Sequence, residues 1–401
     1  MHEPWLDDPL GYLIGAERKE NFFAHAYERD ALVVVHGAPD RFAGLLSIDD
    51  IDRIVTTTDL RDGQLVLADA SRGSSDSDAD TTRTIERSDY VDAANFVDRG
   101  AVADLYRRGA TIILNQAHQF DAPLARLCRG LEQVFSAHVQ TNIYLTPANA
   151  QGFRTHYDNH DVLVIQVEGE KAWRLYDKPI DTPYRGENFE HGRFQPGALR
   201  QEFVLKAGDC AYVPRGLMHD ASASGGAPSL HITIGLITRT WADLMLEAVS
   251  EAALRSPELR RSLPPGFARA DFDRSAARAH LAKLANALAK DVQLDPALDL
   301  MVDTFIRSRG ADNRGAISEA SQTIGAGDRF AAHPRAPRRI AQDGDSVIVI
   351  GPGGELPFAI DARVALERAL SGAPFTLADL NTAKPDAMVT TLLSYGLVRR
   401  L

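Results

Sequence analysis

The sequence predicts a mixed α+β protein whose middle is a sandwich or jelly roll of short strands, with helices on both sides of it in the chain. Three observations carry that expectation. Between about residue 139 and residue 238, short apolar runs alternate with Gly and Pro turns. Before and after this stretch, apolar side chains recur at helical spacing. The strand-rich part also holds His156-Tyr157-Asp158 and, beyond a second turn-strand-turn, His219.

From the start of the chain, Glu20 to Tyr27 carries aromatic anchors at helical spacing, and Ala31 to Val35 is an apolar run closed by Gly37. Ser47, followed by Asp49 and Asp50, announces a helix, because its hydroxyl can cap free backbone N–H groups while the acids face the positive helix end. Ser71 to Asp80 is too polar to bury much surface and is expected to be a mobile loop. Phe96 to Arg108 suits a helix and Ala110 to Leu114 a strand. Further strands are expected at Val139 to Leu145, Leu163 to Glu168, Ala172 to Tyr176, Gln201 to Leu205, Cys210 to Val213 and Leu230 to Leu236. After Thr240-Trp241, amphipathic helices are expected around Leu244 to Val249, Ala277 to Leu288 and Leu298 to Ile306. A linker with Gly325, Gly327, Pro334 and Pro337 leads to a strand at Ser346 to Ile350, a glycine-rich turn, and helical segments at Ala362 to Leu370, Leu377 to Leu380 and Ala387 to Tyr395. That order suggests a small winged helix.

With 401 residues the chain is long enough for two or three units. Its 44% hydrophobic and 25% charged residues are ordinary for a globular protein. No apolar run is long enough to span a bilayer, the first residues lack the layout of a secretory signal, and two cysteines, Cys128 and Cys210, are too few for a disulfide framework. A cytoplasmic protein is expected. The formal charge of −11 argues against broad affinity for nucleic acid and is compatible with a basic partner.

Two imidazoles and a carboxylate form the ligand set of a non-haem Fe(II) site with open coordination positions. On a strand, side chains two apart face one way, so His156 and Asp158 are expected to point at one ion with Tyr157 turned away. His219 arrives from the Pro214-Arg215-Gly216 bend. His160 is on the same expected strand face, but a strand carries it roughly 6–7 Å further on, so it reads as a rim residue. An oxygenase of this type needs a fixed cation for the distal carboxylate of its cosubstrate, since a buried carboxylate without a partner is costly. Lys171, on a strand expected to hairpin back beside the metal strand, is the candidate; the alternative is a surface lysine in a charged turn. Asn142 with Tyr144, and His231 with Thr233, form same-face pairs that suit either cosubstrate contacts or a satisfied sheet interior.

These residues resemble those of the JmjC-type oxygenases, and more closely the cupin-like ribosomal oxygenase branch. The resemblance is carried by Asn142 to Pro147, Gln151-Gly152-Phe153, His156 to Asp158, Gln166 to Tyr176, Gly208-Asp209, Val213 to Gly216 with His219, and Ser229 to Thr233. It implies a double-stranded β-helix oxygenase domain over residues 1–238, a helical homodimerisation region over 239–331 and a winged-helix unit over 332–401. It implies Fe(II) on His156, Asp158 and His219, 2-oxoglutarate as cosubstrate with Lys171 at its far carboxylate, and hydroxylation of a protein side chain by O2. The implied substrate is a ribosomal protein, at arginine or histidine. One departure stands out: Gly235 replaces a Ser frequent in relatives two residues past the Thr233 position, which is expected to remove a hydroxyl from the cosubstrate pocket.

Other classes fit parts of the pattern: an oxygenase of a peptide natural product or small molecule, a scaffold without activity, a histone demethylase, or a transcriptional regulator joining a cupin to a winged helix. Against the regulator, the basic residues Arg335, Arg338, Arg339, Arg363, Arg368, Lys384, Arg399 and Arg400 are offset by seven nearby acids.

Overall fold

The structure, a computed structural model, describes residues 3–69, 85–151 and 154–401. The polar segment Ser71 to Asp80, and Gly152-Phe153, lie outside the described residues. The chain divides into two compact units, Met1–Thr238 and Arg239–Leu401.

The first unit is built on ten strands: β1 (Leu32–Val34), β2 (Leu65–Ala68), β3 (Thr111–Leu114), β4 (His138–Thr146), β5 (Asp161–Glu168), β6 (Glu170–Tyr176), β7 (Leu199–Lys206), β8 (Cys210–Val213), β9 (His219–Ser224) and β10 (Ser229–Ile237). Seven form one antiparallel sheet in the order β1-β8-β5-β10-β4-β3-β2, and β7-β6-β9 form a second. Strand β5 explains why its sequence is an unbroken apolar run and not an alternation. Leu163, Ile165 and Val167 pack into the main core with Tyr212, Ile232 and Ile234, while Val162 and Val164 pack on the other face with Trp173 and Leu205. A strand covered on both faces has no solvent side to keep polar.

The chain passes from the large sheet to the small one at Gly169, between β5 and β6. Its φ of +66° favours glycine, and a Cβ there would collide with the carbonyl oxygen of Pro228. The sequence reading of β6 as a hairpin partner of the metal strand is corrected here: β6 pairs with β7 and β9. A Gly-centred turn looks the same in sequence whether the chain returns along its own sheet or crosses to another.

The N-terminal helices cover the outer face of the large sheet. Ser47 caps the helix Ile48–Thr57 in a two-way box with Asp50. The expected helix over Phe96 to Arg108 begins only at Arg99, because the Asp98 side chain takes the N–H groups of Gly100 and Ala101 and fixes the start there. The expected helix from Glu20 to Tyr27 is a short α-helical turn, Lys19–Asn21, continued as a wider π turn, Phe22–Ala26. That turn brings Phe22 edge-on to Tyr212 and Phe135 in the core.

The second unit contains three long helices, Trp241–Arg255, Ser275–Asp291 and Leu294–Arg307. It continues with β11 (Phe330–Ala332), the three-stranded antiparallel sheet β12 (Arg339–Asp343), β13 (Ser346–Gly351) and β14 (Gly354–Ala359), helices Arg363–Ala369 and Pro385–Ser394, and β15 (Val398–Arg400), which pairs with β11. Phe330, Val347, Leu366, Phe375, Val389 and Leu397 are its core. Of these five strands the sequence predicts only β13. Strand β11 lies inside the Gly- and Pro-containing stretch read as a linker, and β14 begins with Gly354 and carries Pro357, the residues that mark turns and not strands. Trp241, Leu254 and Leu281 are exposed on the long helices.

Candidate metal centre and cosubstrate cavity

The His156-Tyr157-Asp158 segment is not part of a strand, which corrects the sequence expectation; β5 starts only at Asp161. The segment is instead bolted to the bend before β9. His156 and His219 form an isolated antiparallel bridge, with His156 N–H donating to the His219 carbonyl at 3.0 Å and His219 N–H to the His156 carbonyl at 2.7 Å. The Asp158 carbonyl accepts the Gly216 N–H at 2.9 Å. Paired backbones, and not strand alternation, therefore set the three side chains together.

One ligand atom from each of His156, Asp158 and His219 lies within 4.8 Å of the others. The imidazole orientation is fixed from behind. His156 Nδ1 lies 2.8 Å from the Arg154 carbonyl and His219 Nδ1 3.0 Å from the Leu217 carbonyl, so Nδ1 of each ring donates to a carbonyl and Nε2 is the nitrogen left to face the cluster. His219 Nε2 is 3.7 Å from Asp158 Oδ2. Burial pushes His219 down to about 4, helped by the neighbouring His156. For Asp158, burial favours the neutral acid, but His219, His156 and His160 together outweigh it and hold the carboxyl below its ordinary range. Two neutral imidazoles and one carboxylate are the ionisation states a divalent cation requires.

A second layer of contacts supports this arrangement. Asp220, next to His219 and buried, accepts from Thr155 Oγ1 at 2.8 Å, Tyr176 OH at 2.8 Å and Arg174 Nε at 3.0 Å. One carboxylate thus ties the strand carrying His219, the segment carrying His156 and strand β6. Tyr157 points away from the cluster, and its hydroxyl donates to the Glu187 carbonyl at 3.0 Å.

His156, Asp158 and His219 open into a cavity that also contains Lys171, Tyr144, Trp173, His231, Thr233 and Thr111. Lys171 is 4% exposed, which removes the surface-lysine alternative. Its Nζ lies 3.3 Å from Thr146 Oγ1 and 3.4 Å from His231 Nδ1, and among the described residues no carboxylate pairs with it. Burial lowers its pKa to about 7. His231 is driven well below its ordinary value by burial and by Lys171, and so is neutral; Tyr144 stacks on it with ring centroids 4.7 Å apart. A register shift between Leu230 and His231 re-aims β10 here, and Gln166 Nε2 bridges the irregularity to Ser229 Oγ at 2.8 Å.

Asn142 stands behind this wall. Its Oδ1 accepts the Gln116 N–H at 3.0 Å and its side chain bonds the Tyr144 hydroxyl, so it holds Tyr144 in place. Thr146 and Trp173 were not singled out from the sequence. Each lies two residues along a strand from a residue that was, Tyr144 and Lys171 respectively, and the two-residue period was the available signal. His160 does not share a strand face with His156 and Asp158: its ring lies where a Cβ on Gly235 would project, 2.9 Å from that point. The space at Gly235 is therefore occupied by an imidazole.

Residues 113–244 match the JmjC domain family. Among curated proteins it is similar to the bifunctional lysine-specific demethylase and histidyl-hydroxylase NO66 of Drosophila erecta, 32% identical over 265 residues, covering 64% of this chain and 38% of that protein. It is also similar to ribosomal oxygenase 1 of Homo sapiens, 30% identical over 267 residues, covering 64% of this chain and 39% of that one. The chain thus spans about two fifths of the length of these relatives. Among solved structures, Escherichia coli YcfD matches with a TM-score of 0.53 at 16% identity over 96% of this chain and 98% of that one. A structure of the same protein, described as a ribosomal oxygenase in complex with cobalt and 2-oxoglutarate, matches at 0.51 and 15% over 95% and 97%. At these identities the likeness speaks for the fold: a JmjC, cupin-like jelly roll with mixed helix and strand.

Proposed function

We propose that this protein is an Fe(II)- and 2-oxoglutarate-dependent oxygenase that uses O2 to hydroxylate an amino-acid side chain of a protein, with a ribosomal protein, at arginine or histidine, as the substrate. One observation carries the reading. Two Nε2-presenting imidazoles and a carboxylate share a cavity with a buried lysine that has no acid partner among the described residues. The donor set suits Fe(II), and the lysine suits a dicarboxylate reaching inward from the ion. The names of the curated relatives, ribosomal oxygenase and histidyl-hydroxylase, support the substrate class.

Bound iron and 2-oxoglutarate supply O2 activation coupled to decarboxylation of the cosubstrate to succinate. The chain supplies position and dryness. His156, Asp158 and His219 would hold the metal through two imidazole nitrogens and a carboxylate oxygen. Lys171 receives the distal carboxylate, with Thr146, His231 and Tyr144 around it and Thr233 on the wall between; Asn142 holds Tyr144. A carboxylate close to Lys171 restores the lysine's proton affinity, so an ammonium that burial penalises becomes the paired ion the site is shaped for.

For the second unit we propose a homodimerisation role for the helices of residues 239–331 and a winged-helix fold for 332–401. The first rests on Trp241, Leu254 and Leu281, which lie uncovered on the long helices. The second rests on the β13–β14 hairpin sharing a small core with helices Arg363–Ala369 and Pro385–Ser394. Three arginines of this unit are engaged internally: Arg339 by Asp303 and Asp299, Arg400 by Glu319 and Asp328, and Arg338 by backbone carbonyls. This supports a protein partner over nucleic acid. The buried, unlinked thiols of Cys128 and Cys210 suit the reducing cytoplasm.

The test is mass spectrometry of ribosomal proteins from cells with and without the gene. A gain of one oxygen on a single arginine or histidine is expected. Identical ribosomal proteins in the two strains would overturn the substrate class.

A further inference from the structure

Resting on that oxygenase reading, we infer that His160, seated over Gly235, determines specificity at the mouth of the cavity, where it and Gln140 hydrogen-bond the peptide backbone of the incoming protein segment. Three adjacent strands, β4, β10 and β5, contribute Tyr144, His231, Thr233, Val164 and Val162 to the cavity lining, and their paired residues form successive rungs. Tyr144 lies opposite His231 beside Lys171; the next rung is Asn142, Thr233 and Val164; the third is Gln140, Gly235 and Val162. The third rung has no side chain at its centre. The His160 ring lies above it, with Cδ2 and Nε2 each 2.9 Å from where a Gly235 Cβ would sit, and Gln140 Cγ is 3.3 Å from the same point. Any larger residue at 235 meets the ring, so the glycine and the histidine form one device.

The chemistry of this pair selects the ligand. Both side chains are half-exposed, and among the described residues neither the imidazole nor the amide forms a side-chain hydrogen bond. Each offers both a donor and an acceptor, which is the complement of a peptide group with its N–H and C=O.

The experiment compares the wild-type enzyme with His160→Ala, Gly235→Ala and the double variant. Each receives proteins extracted from ribosomes, and hydroxylation is followed by mass gain. Anaerobic visible spectra with Fe(II) and 2-oxoglutarate monitor metal and cosubstrate loading separately. The expected result is a KM for the protein substrate raised at least tenfold by each single change, with kcat much less affected. The double variant should be no worse than His160→Ala, and the visible band should form at wild-type cosubstrate concentrations. A wild-type KM in His160→Ala, or a further loss from Gly235→Ala when His160 is already absent, overturns the inference while the enzyme reading stands. If the wild-type enzyme loads Fe(II) and 2-oxoglutarate yet modifies no ribosomal protein, the substrate reading falls and this inference falls with it.

Discussion

Replacing Lys171 by Met should make the protein more stable and unable to use its cosubstrate. Met is close to Lys in length and apolar, so it fills the same channel without a charge. Burial lowers the Lys171 pKa from 10.5 to about 7. At about 1.4 kcal/mol per tenfold change in proton affinity, holding this ammonium in the cavity costs about 5 kcal/mol at pH 6. The sign follows from proton counting. Between pH 7 and pH 10.5 the unfolded chain holds a proton on this lysine that the folded chain has released, so wild-type stability rises with pH across that window. The advantage of Lys171→Met should be largest below pH 7, fall to roughly 2 kcal/mol near pH 9 and vanish by about pH 10.5. Urea unfolding at pH 6 and pH 9 measures the difference directly. With a divalent metal present throughout, adding 2-oxoglutarate should stabilise the wild-type protein strongly and the variant hardly at all. A Lys171→Met protein less stable than wild type at pH 6, or one still stabilised by 2-oxoglutarate, would refute the reasoning. The same titration makes cosubstrate affinity in the wild-type enzyme weaken as pH rises through about 7, because only the ammonium form pairs with a carboxylate.

Three further outcomes follow from the contacts around the site. Asp220→Ala removes the group that ties Thr155, Tyr176 and Arg174 together, and should weaken Co(II) binding by about 10- to 100-fold in a spectroscopic titration while the fold persists. Gly169→Ala places a methyl against the Pro228 carbonyl at a positive φ, and should lower stability by roughly 2 kcal/mol or more in urea; equal stability would show that the crossover is not strained. Asp161, fully buried, accepts from Tyr212 OH at 2.8 Å and Arg215 Nη1 at 2.8 Å. Asp161→Ala should destabilise by about 3 kcal/mol, since it leaves a buried guanidinium short of a partner.

Much of the oxygenase unit was legible because its strands are short apolar runs between turn residues, and the ends of β4, β5, β7, β8 and β10 fall within two residues of where the sequence puts them. The identities of His156, Asp158, His219 and Lys171 as candidates were legible too, since few combinations of side chains suit an open metal site beside a buried cation. Their placement was not. The H-x-D segment was read as a strand, but its geometry comes from a backbone bridge to His219, a partner 63 positions away that no local pattern reveals. Lys171 was put on a neighbouring strand because the turn at Gly169 gives no sign that the chain changes sheets. Asp220 escaped notice for a similar reason: its three partners come from separate segments, and a lone acid after a histidine has no periodicity to betray it. In the second unit, Pro357 and Gly354 disguised a strand as a turn.

The central claim is that His156, Asp158 and His219 hold Fe(II) with 2-oxoglutarate on its open face. Anaerobic titration of the protein with Fe(II) and 2-oxoglutarate tests it most directly. The account predicts a weak visible metal-to-ligand charge-transfer band in the wild-type protein and none in the His156→Ala, Asp158→Ala double variant. The same band in the double variant would contradict the assignment.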